Sequence, residues 1–224
     1  MASIDSAALS ALRTALSSAA TVNLPGDPDY SNKRWAGNAE KTAAVVACPA
    51  TAEDVVQILA FVQGKAPYES QQKIDFAVKG GGHNPSGASS SDGGLVIDLA
   101  PKMHDVRVDS SAKLAYVGGG SLWAHVDEAA VKYGLAPVAG VVSHTGVGNL
   151  TLGGGFGWLC GEHGLVIDNL VGATVVTAAG KIVSTSETEN PELLWALRGG
   201  GGNFGVVTEF VFRLHQQRPD LYQA

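Results

Sequence analysis

Two cysteines, Cys48 and Cys160, are all that the 224 residues contain. So few cannot build a disulfide scaffold, and both are expected to be reduced thiols with packing roles. Charge is also scarce, at 16% of residues against about 25% in an average domain. Acids outnumber bases 21 to 15 and the pI is near 5.4, which excludes nucleic-acid binding through a basic footprint. Disorder would need fewer apolar residues than the 45% present and a larger net charge than −6. No apolar run is long enough to span a bilayer, so no membrane association is expected. The N-terminus lacks a basic segment followed by an uninterrupted apolar one, so no signal peptide is expected and a cytoplasmic location follows.

Glycine is the one residue in excess. There are 29, about 13% of the chain against about 7% ordinarily, and 26 of them lie between Gly80 and Gly205. They come in bursts and not at every third position, which excludes collagen. Around the bursts the pattern is regular. Leu9, Leu12 and Leu16 predict a helix over Ser6 to Ala20, followed by an extended Pro-, Gly- and Asn-rich arm from Asn23 to Gly37. Ala43 to Cys48 reads as a strand, and Thr51 to Asp54 as the capped start of a helix. Further strands are expected at 73–79, 94–99, 106–108, 114–117, 173–177, 181–184 and 206–214, with helices over 122–133 and 191–197. Strands and helices alternate irregularly, which points to an α+β fold with no internal repeat.

Each glycine burst abuts a strand or a helix end. Successive main-chain N–H groups in such loops converge on anions, so four bursts together point to a large phosphate-bearing ligand held by backbone. Tight turns and bulges are the competing explanation for any one of them. The familiar nucleotide signatures fail. No Gly-Lys-Ser/Thr follows a glycine run, and the G-x-G-x-x-G string at Gly200, Gly202 and Gly205 follows a helix and precedes a strand, the reverse of a Rossmann fingerprint. No G-x-S-x-G elbow occurs, and the histidines lack metal-ligand spacing, so no metal is expected. His83 is the chemically suggestive residue. It follows Gly80, Gly81 and Gly82 at the mouth of a strand, where its imidazole can face whatever occupies a glycine-lined cleft.

The string GGGHNPSG, Gly80 to Gly87, resembles the covalent flavin-attachment loop of FAD-linked oxidases of the vanillyl-alcohol-oxidase and p-cresol-methylhydroxylase superfamily, the berberine-bridge-enzyme-like branch in particular. Three further segments agree in order: Thr145 to Gly157 (TGVGNLTLGGGFG), Gly164 to Leu170 (GLVIDNL), and Leu194 to Arg198 (LWALR) running into Gly199 to Val207. Pro49 to Val55 also matches the entry to the family's first helix. The resemblance covers roughly residues 30 to 215.

That resemblance implies a PCMH-type FAD-binding domain over residues 38–215, built of two α/β subdomains with the cofactor between them. A helix and arm (1–37) would precede it and a tail (216–224) would follow. His83 would carry the flavin covalently through a ring nitrogen on the 8α-methyl group. Val78, Lys79, Gly80, Gly81, Gly82 and Asn84 would cradle the pyrophosphate, with Gly87 and Ser89 nearby. Gly146, Val147, Gly148, Asn149, Leu150 and Phe156 would line the flavin side, and Gly202 and Val207 the adenine end. Trp195 and Asp168 are expected in packing and turns. Departures also count. Val142 stands where many relatives attach the flavin a second time through cysteine, so a single histidyl link is expected. Gly161, Glu162 and His163 replace a commonly basic pair. The family's substrate domain, which supplies most catalytic groups, is absent from this sequence, so no catalytic residue is assigned. The implied activity is hydride transfer from a small alcohol-, sugar- or amine-type substrate to FAD, reoxidised by oxygen or another acceptor. Besides the substrate, the expected partners are an oligomer or a missing C-terminal half. The alternatives are a non-catalytic flavin-binding module and a glycine-rich β domain without cofactor.

Overall fold

The computed structural model describes residues 4–218. Of the expected tail, residues 219–224 lie outside the described residues. Two sheets form the molecule, each with its own core. The first holds four strands in the order β1 (Thr21–Asn23), β2 (Val45–Cys48), β4 (Leu95–Asp98) and β3 (Phe76–Lys79). β2, β4 and β3 run parallel, and β1 pairs antiparallel at the edge. Every residue of β2 and β4 is buried, as expected of parallel strands covered on both faces.

Two helices cover this sheet. α1 (Ser6–Ala15) is capped by Asp5, whose carboxylate accepts from the Ala8 N–H at 2.7 Å, and it buries Ala8, Leu9 and Leu12. It is shorter than the Ser6 to Ala20 expectation, because the chain turns extended at Leu16. α2 (Ala52–Val62) opens with the expected capping box between Thr51 and Asp54. Its Val55, Ile58, Leu59 and Val62 face a core that also takes Phe61 and Tyr68. Each such side chain contributes about 1.5–3 kcal/mol on burial.

The second sheet is antiparallel, in the order β5 (Val106–Asp109), β6 (Leu114–Gly118), β10 (Val206–Gln216), β8 (Leu170–Val176), β9 (Ile182–Ser186). β10 also pairs with the short β7 (Leu135–Pro137), which the sequence pattern did not reveal. Phe210, Phe212 and Leu214 alternate inward along β10, the period-2 signature of a half-buried strand. α3 (Trp123–Ala130) packs the fully buried Trp123 against Phe212. α4 (Val147–Leu152) and α5 (Cys160–His163) are short helices inside what reads as a continuous glycine-rich loop.

α6 (Pro191–Gly200) buries Leu194 and Leu197, and its backbone leaves helical geometry at Arg198 and Gly199. Trp195 corrects an expectation. It lies on the opposite face of α6 and is 77% exposed, so it does not serve the core. Asp168 does serve a turn, accepting from the Leu165 N–H at 2.7 Å. The two sheets meet through more than loops: Val176 and Val206, from the second sheet, pack in the core of the first. Both cysteines are unpaired.

Asp54 ties the first sheet's helices together. Its buried carboxylate accepts from the Ser17 N–H (2.7 Å) and Oγ (2.8 Å), the Ala50 N–H (2.9 Å) and the Thr51 N–H (3.0 Å). Burial acts to raise its pKa, but these donors outweigh burial and hold the carboxyl below its ordinary value. A depressed folded-state pKa means the contribution is fully present above the unfolded value of about 4 and is lost as pH falls through the folded value. Asp54→Asn is expected to cost about 1–3 kcal/mol in urea unfolding at pH 7 and progressively less in acid. A loss that stays constant from pH 7 to pH 3 would contradict this.

Candidate functional site

The site lies where the loop after β3 meets the loop before α4. Lys79, at the end of β3, does not reach out for a ligand. Its ammonium is paired with Asp98 on β4, at 3.0 and 2.9 Å to the two carboxylate oxygens, and both side chains are largely buried. Beyond it the chain passes through Gly80, Gly81 and Gly82. A methyl group at Gly81 would stand 2.5 Å from the Gly146 nitrogen, and one at Gly146 would stand 2.5 Å from the Gly81 nitrogen. Backbone therefore lies directly on backbone here, and neither position has room for a side chain. Gly82 has φ +67°, the left-handed region that favours glycine, and turns the chain so that His83 leaves the seam.

Hydrogen bonds extend this junction to the rest of the second sheet. Gly146 bridges Leu122, the Val147 N–H donates to the Ser121 carbonyl (3.0 Å), and the Trp123 N–H to the Thr145 carbonyl (3.1 Å). The Gly119 N–H donates to the Thr208 carbonyl (2.9 Å), which brings the segment of Val207 beside the glycines at the end of β6 and just after it. A cavity of about 360 Å³ opens beside Gly80 and Gly81, walled by Ala100, His104, Leu122 and His125. A larger one, about 680 Å³, lies at the far end of the second sheet around His163 and His215, away from these residues.

His83 is partly buried. Its imidazole stacks on Trp35, with ring centroids 4.3 Å apart and planes 17° apart, and lies 5.2 Å from the ring of His144. Its Nε2 is buried and has no hydrogen-bond partner among the described residues. A buried polar atom left unpaired costs about 1–3 kcal/mol, so its presence calls for an explanation. Asn84 uses its carboxamide oxygen locally, accepting from the Ser86 N–H (2.8 Å) and Oγ (2.6 Å). Ser89 is buried, and its Oγ and carbonyl both accept from the Arg34 guanidinium, at 3.2 and 2.6 Å. Burial holds the Arg34 pKa below its ordinary value, although the guanidinium stays charged.

Most of the expected residues thus converge. Val78 to Asn84, Gly87 and Ser89 form one loop system, and Gly146 to Leu150 the facing segment. Gly202 and Phe156 are not drawn into the seam. A methyl at Gly202 would meet nothing within 4 Å, and Phe156 is 70% exposed in the loop after α4. Sequence reasoning missed Arg34, Trp35 and His144. The signal available for the first two was an Arg-Trp pair in an otherwise Pro-, Gly- and Asn-rich arm.

A family profile described as an FAD binding domain matches residues 43–186. The chain belongs to this FAD-binding family. An FAD-linked oxidoreductase of Aspergillus terreus is 43% identical over 191 residues, 85% of this chain and 37% of that protein. The (R)-6-hydroxynicotine oxidase of Paenarthrobacter nicotinovorans is 37% identical over 209 residues, 92% of this chain and 44% of that enzyme. Among solved structures, 6-hydroxy-D-nicotine oxidase from Arthrobacter nicotinovorans superposes with a TM-score of 0.82 at 36% identity, covering 89% of this chain and 43% of that one. The glucooligosaccharide oxidase of Acremonium strictum, which carries a 6-S-cysteinyl, 8α-N1-histidyl FAD, gives 0.81 at 32% identity, covering 95% and 43%. The chain therefore has the fold of the PCMH-type FAD-binding domain and spans about two-fifths of the length of the relatives it matches.

The residues present fit FAD. The Nε2 of His83 is buried without a partner among the described residues, and a cavity opens beside Gly80 and Gly81 where main-chain groups line the wall. Gly146→Ala is expected to destabilise the protein by about 1–3 kcal/mol, as overpacking does, and to weaken FAD binding in a fluorescence titration. Gly202→Ala, in open space, is expected to stay within about 0.5 kcal/mol of the parent. Equal effects at the two positions would show that the close backbone approach is unimportant.

Proposed function

We propose that this chain is the FAD-binding portion of an oxidoreductase that oxidises a small alcohol-, sugar- or amine-type substrate, with FAD held covalently through His83 alone. The observation that carries the reading is the His83 ring itself. It stands at the junction of the two sheets, stacked on Trp35, 5.2 Å from the His144 ring and with one nitrogen unpaired among the described residues. Bound FAD supplies the hydride acceptor, and the protein supplies placement and electrostatics. His83 would fix the isoalloxazine end. Main-chain groups from Val78 to Asn84 and from Gly146 to Leu150 would hold the pyrophosphate and flavin, with Gly202 and Val207 towards the adenine. Substrate class is supported by the relatives, which include oxidases of a hydroxynicotine and of a glucooligosaccharide.

Val142 argues for a single link. It is 40% exposed near the seam and offers no nucleophile. A second reading, a flavin-binding module without turnover, is favoured by the open apolar surface at Val141, Val142, Phe156 and Trp158, each at least 40% exposed. Steady flavin reduction by members of an alcohol and sugar panel supports the enzyme, and tight binding without reduction supports the module.

Acid-denatured protein is expected to keep yellow fluorescence on the polypeptide, with a mass increase of one FAD located in the peptide containing His83. His83→Ala should lose all of it while retaining reversible FAD binding. Colour that washes off the wild type, or that survives in His83→Ala, would sink the covalent proposal.

A further inference from the structure

Trp35 is an anomaly of placement. Its indole is 62% exposed, so it contributes little to either core, yet the backbone that carries it is fixed at many points. Its own N–H donates to the Gly82 carbonyl at 3.2 Å. Arg34, one residue earlier, is buried. Besides its bonds to Ser89, its Nη1 donates to the Lys33 carbonyl (2.8 Å) and its N–H to Glu40 (3.2 Å). Further along the arm, Asn38 donates to the Pro85 carbonyl (3.1 Å) and the Ala39 carbonyl accepts from Ser90 Oγ (2.7 Å). The arm is stitched to the loop of residues 82–90 along its length, and what it presents to His83 is one flat ring.

We propose that Trp35 is a positioning residue for flavin attachment, which clamps the face of the His83 imidazole and leaves its nitrogens free. The proposal rests on the reading of His83 as the attachment residue. A reactive histidine is usually oriented by a hydrogen bond to one of its nitrogens. Among the described residues, no such bond reaches Nε2 of His83. Face-to-face stacking restrains rotation of the ring in a different way. It covers a π face without bonding to either nitrogen, and the lone pair of a neutral imidazole lies in the ring plane, at the edge, where Nε2 is buried and unpaired among the described residues. His144, tilted by 33° at 5.2 Å, limits the ring further. The nucleophile is thus oriented without being consumed. Attachment forms one C–N bond between an imidazole nitrogen and the flavin's 8α-methyl carbon, with one proton lost from each. The two electrons released pass through the flavin to dioxygen, giving hydrogen peroxide. Only the orientation of the imidazole is assigned to Trp35.

An aromatic pair of this geometry corresponds to a factor of roughly 3 to 10 in an equilibrium or rate. The test uses the full chain, prepared without flavin from riboflavin-starved cells. FAD is added and the covalently retained flavin is followed with time on denatured samples, beside reversible binding by fluorescence and thermal melting. Trp35→Ala is expected to attach flavin about 10-fold more slowly, with binding affinity within about 2-fold of the parent and an unchanged melting temperature. Trp35→Phe, which keeps an aromatic face, should return the rate to within about 2-fold. Attachment by Trp35→Ala at the parent rate would overturn the proposal. So would a loss matched by weaker binding or a lower melting temperature, or a failure of Trp35→Phe to recover, because each marks a role other than orienting the ring. A parent chain that retains no flavin would instead bring down the His83 reading, and the Trp35 proposal with it.

Discussion

The contact on which this structure depends is the one between Gly81 and Gly146, where two main chains meet with no side chain between them. Each sheet builds a core from ordinary apolar residues, the first completed by Val176 and Val206 from the second. What joins the halves into a cofactor site is that the loop after β3 and the loop before α4 lie flush against each other. Any Cβ on either strand of that seam would push the halves apart, and the cost would fall on the site more than on either core. The glycines of this seam follow from that contact. Where backbones must approach each other, and a long ligand must approach both, side chains are removed and main-chain N–H groups are left to do the binding.

The electrostatics agree with a site held by backbone. In a chain of net charge −6, two of the cations beside the loop are committed elsewhere, while the Lys41 ammonium lies close to Gly87. Lys79 is neutralised by Asp98, and Arg34 spends its donors on Ser89 and the Lys33 carbonyl. Breaking either buried arrangement would leave a desolvated group without a partner, which costs more than the pair itself gains. Their function is to hold the arm and the glycine loop rigid. Phosphate charge would then be met by oriented peptide dipoles, whose position the two pinned cations secure.

Much of this was legible in the residues because local physics decides it. The capping box at Thr51 and Asp54, the period-2 burial of Phe210, Phe212 and Leu214, and the continuous apolar run of β2 each announce an element without reference to the rest of the chain. The glycine bursts and His83 announced a phosphate-bearing ligand and, with the family resemblance, named it. Elements that needed tertiary support were not visible. α4 lies among glycines whose low helix propensity hides it, and it forms because Val147 and Leu152 are buried in the second core. β7 is three residues long and exists only through pairing with β10. Trp195 misled for the opposite reason: an aromatic in an amphipathic helix reads as core, although Leu194 and Leu197 already fill the inner face.

Trp35 and His144 show where sequence reasoning stops. They lie 48 and 61 positions from His83, and nothing in the spacing of a Trp and two His foretells a stack. The arm brings Trp35 there through a chain of side-chain-to-backbone bonds, and the segment that enters the glycine seam at Gly146 brings the His144 ring within 5.2 Å. The chemistry of the site is therefore assembled by the same constraint that joins the halves. A histidine on a glycine loop would be free to turn. Between a stitched arm and a flush backbone seam, it has a face covered by Trp35, the ring of His144 close by, and a buried Nε2 left without a partner among the described residues. A rigid frame around one unpaired nitrogen can orient that group without spending its reactivity.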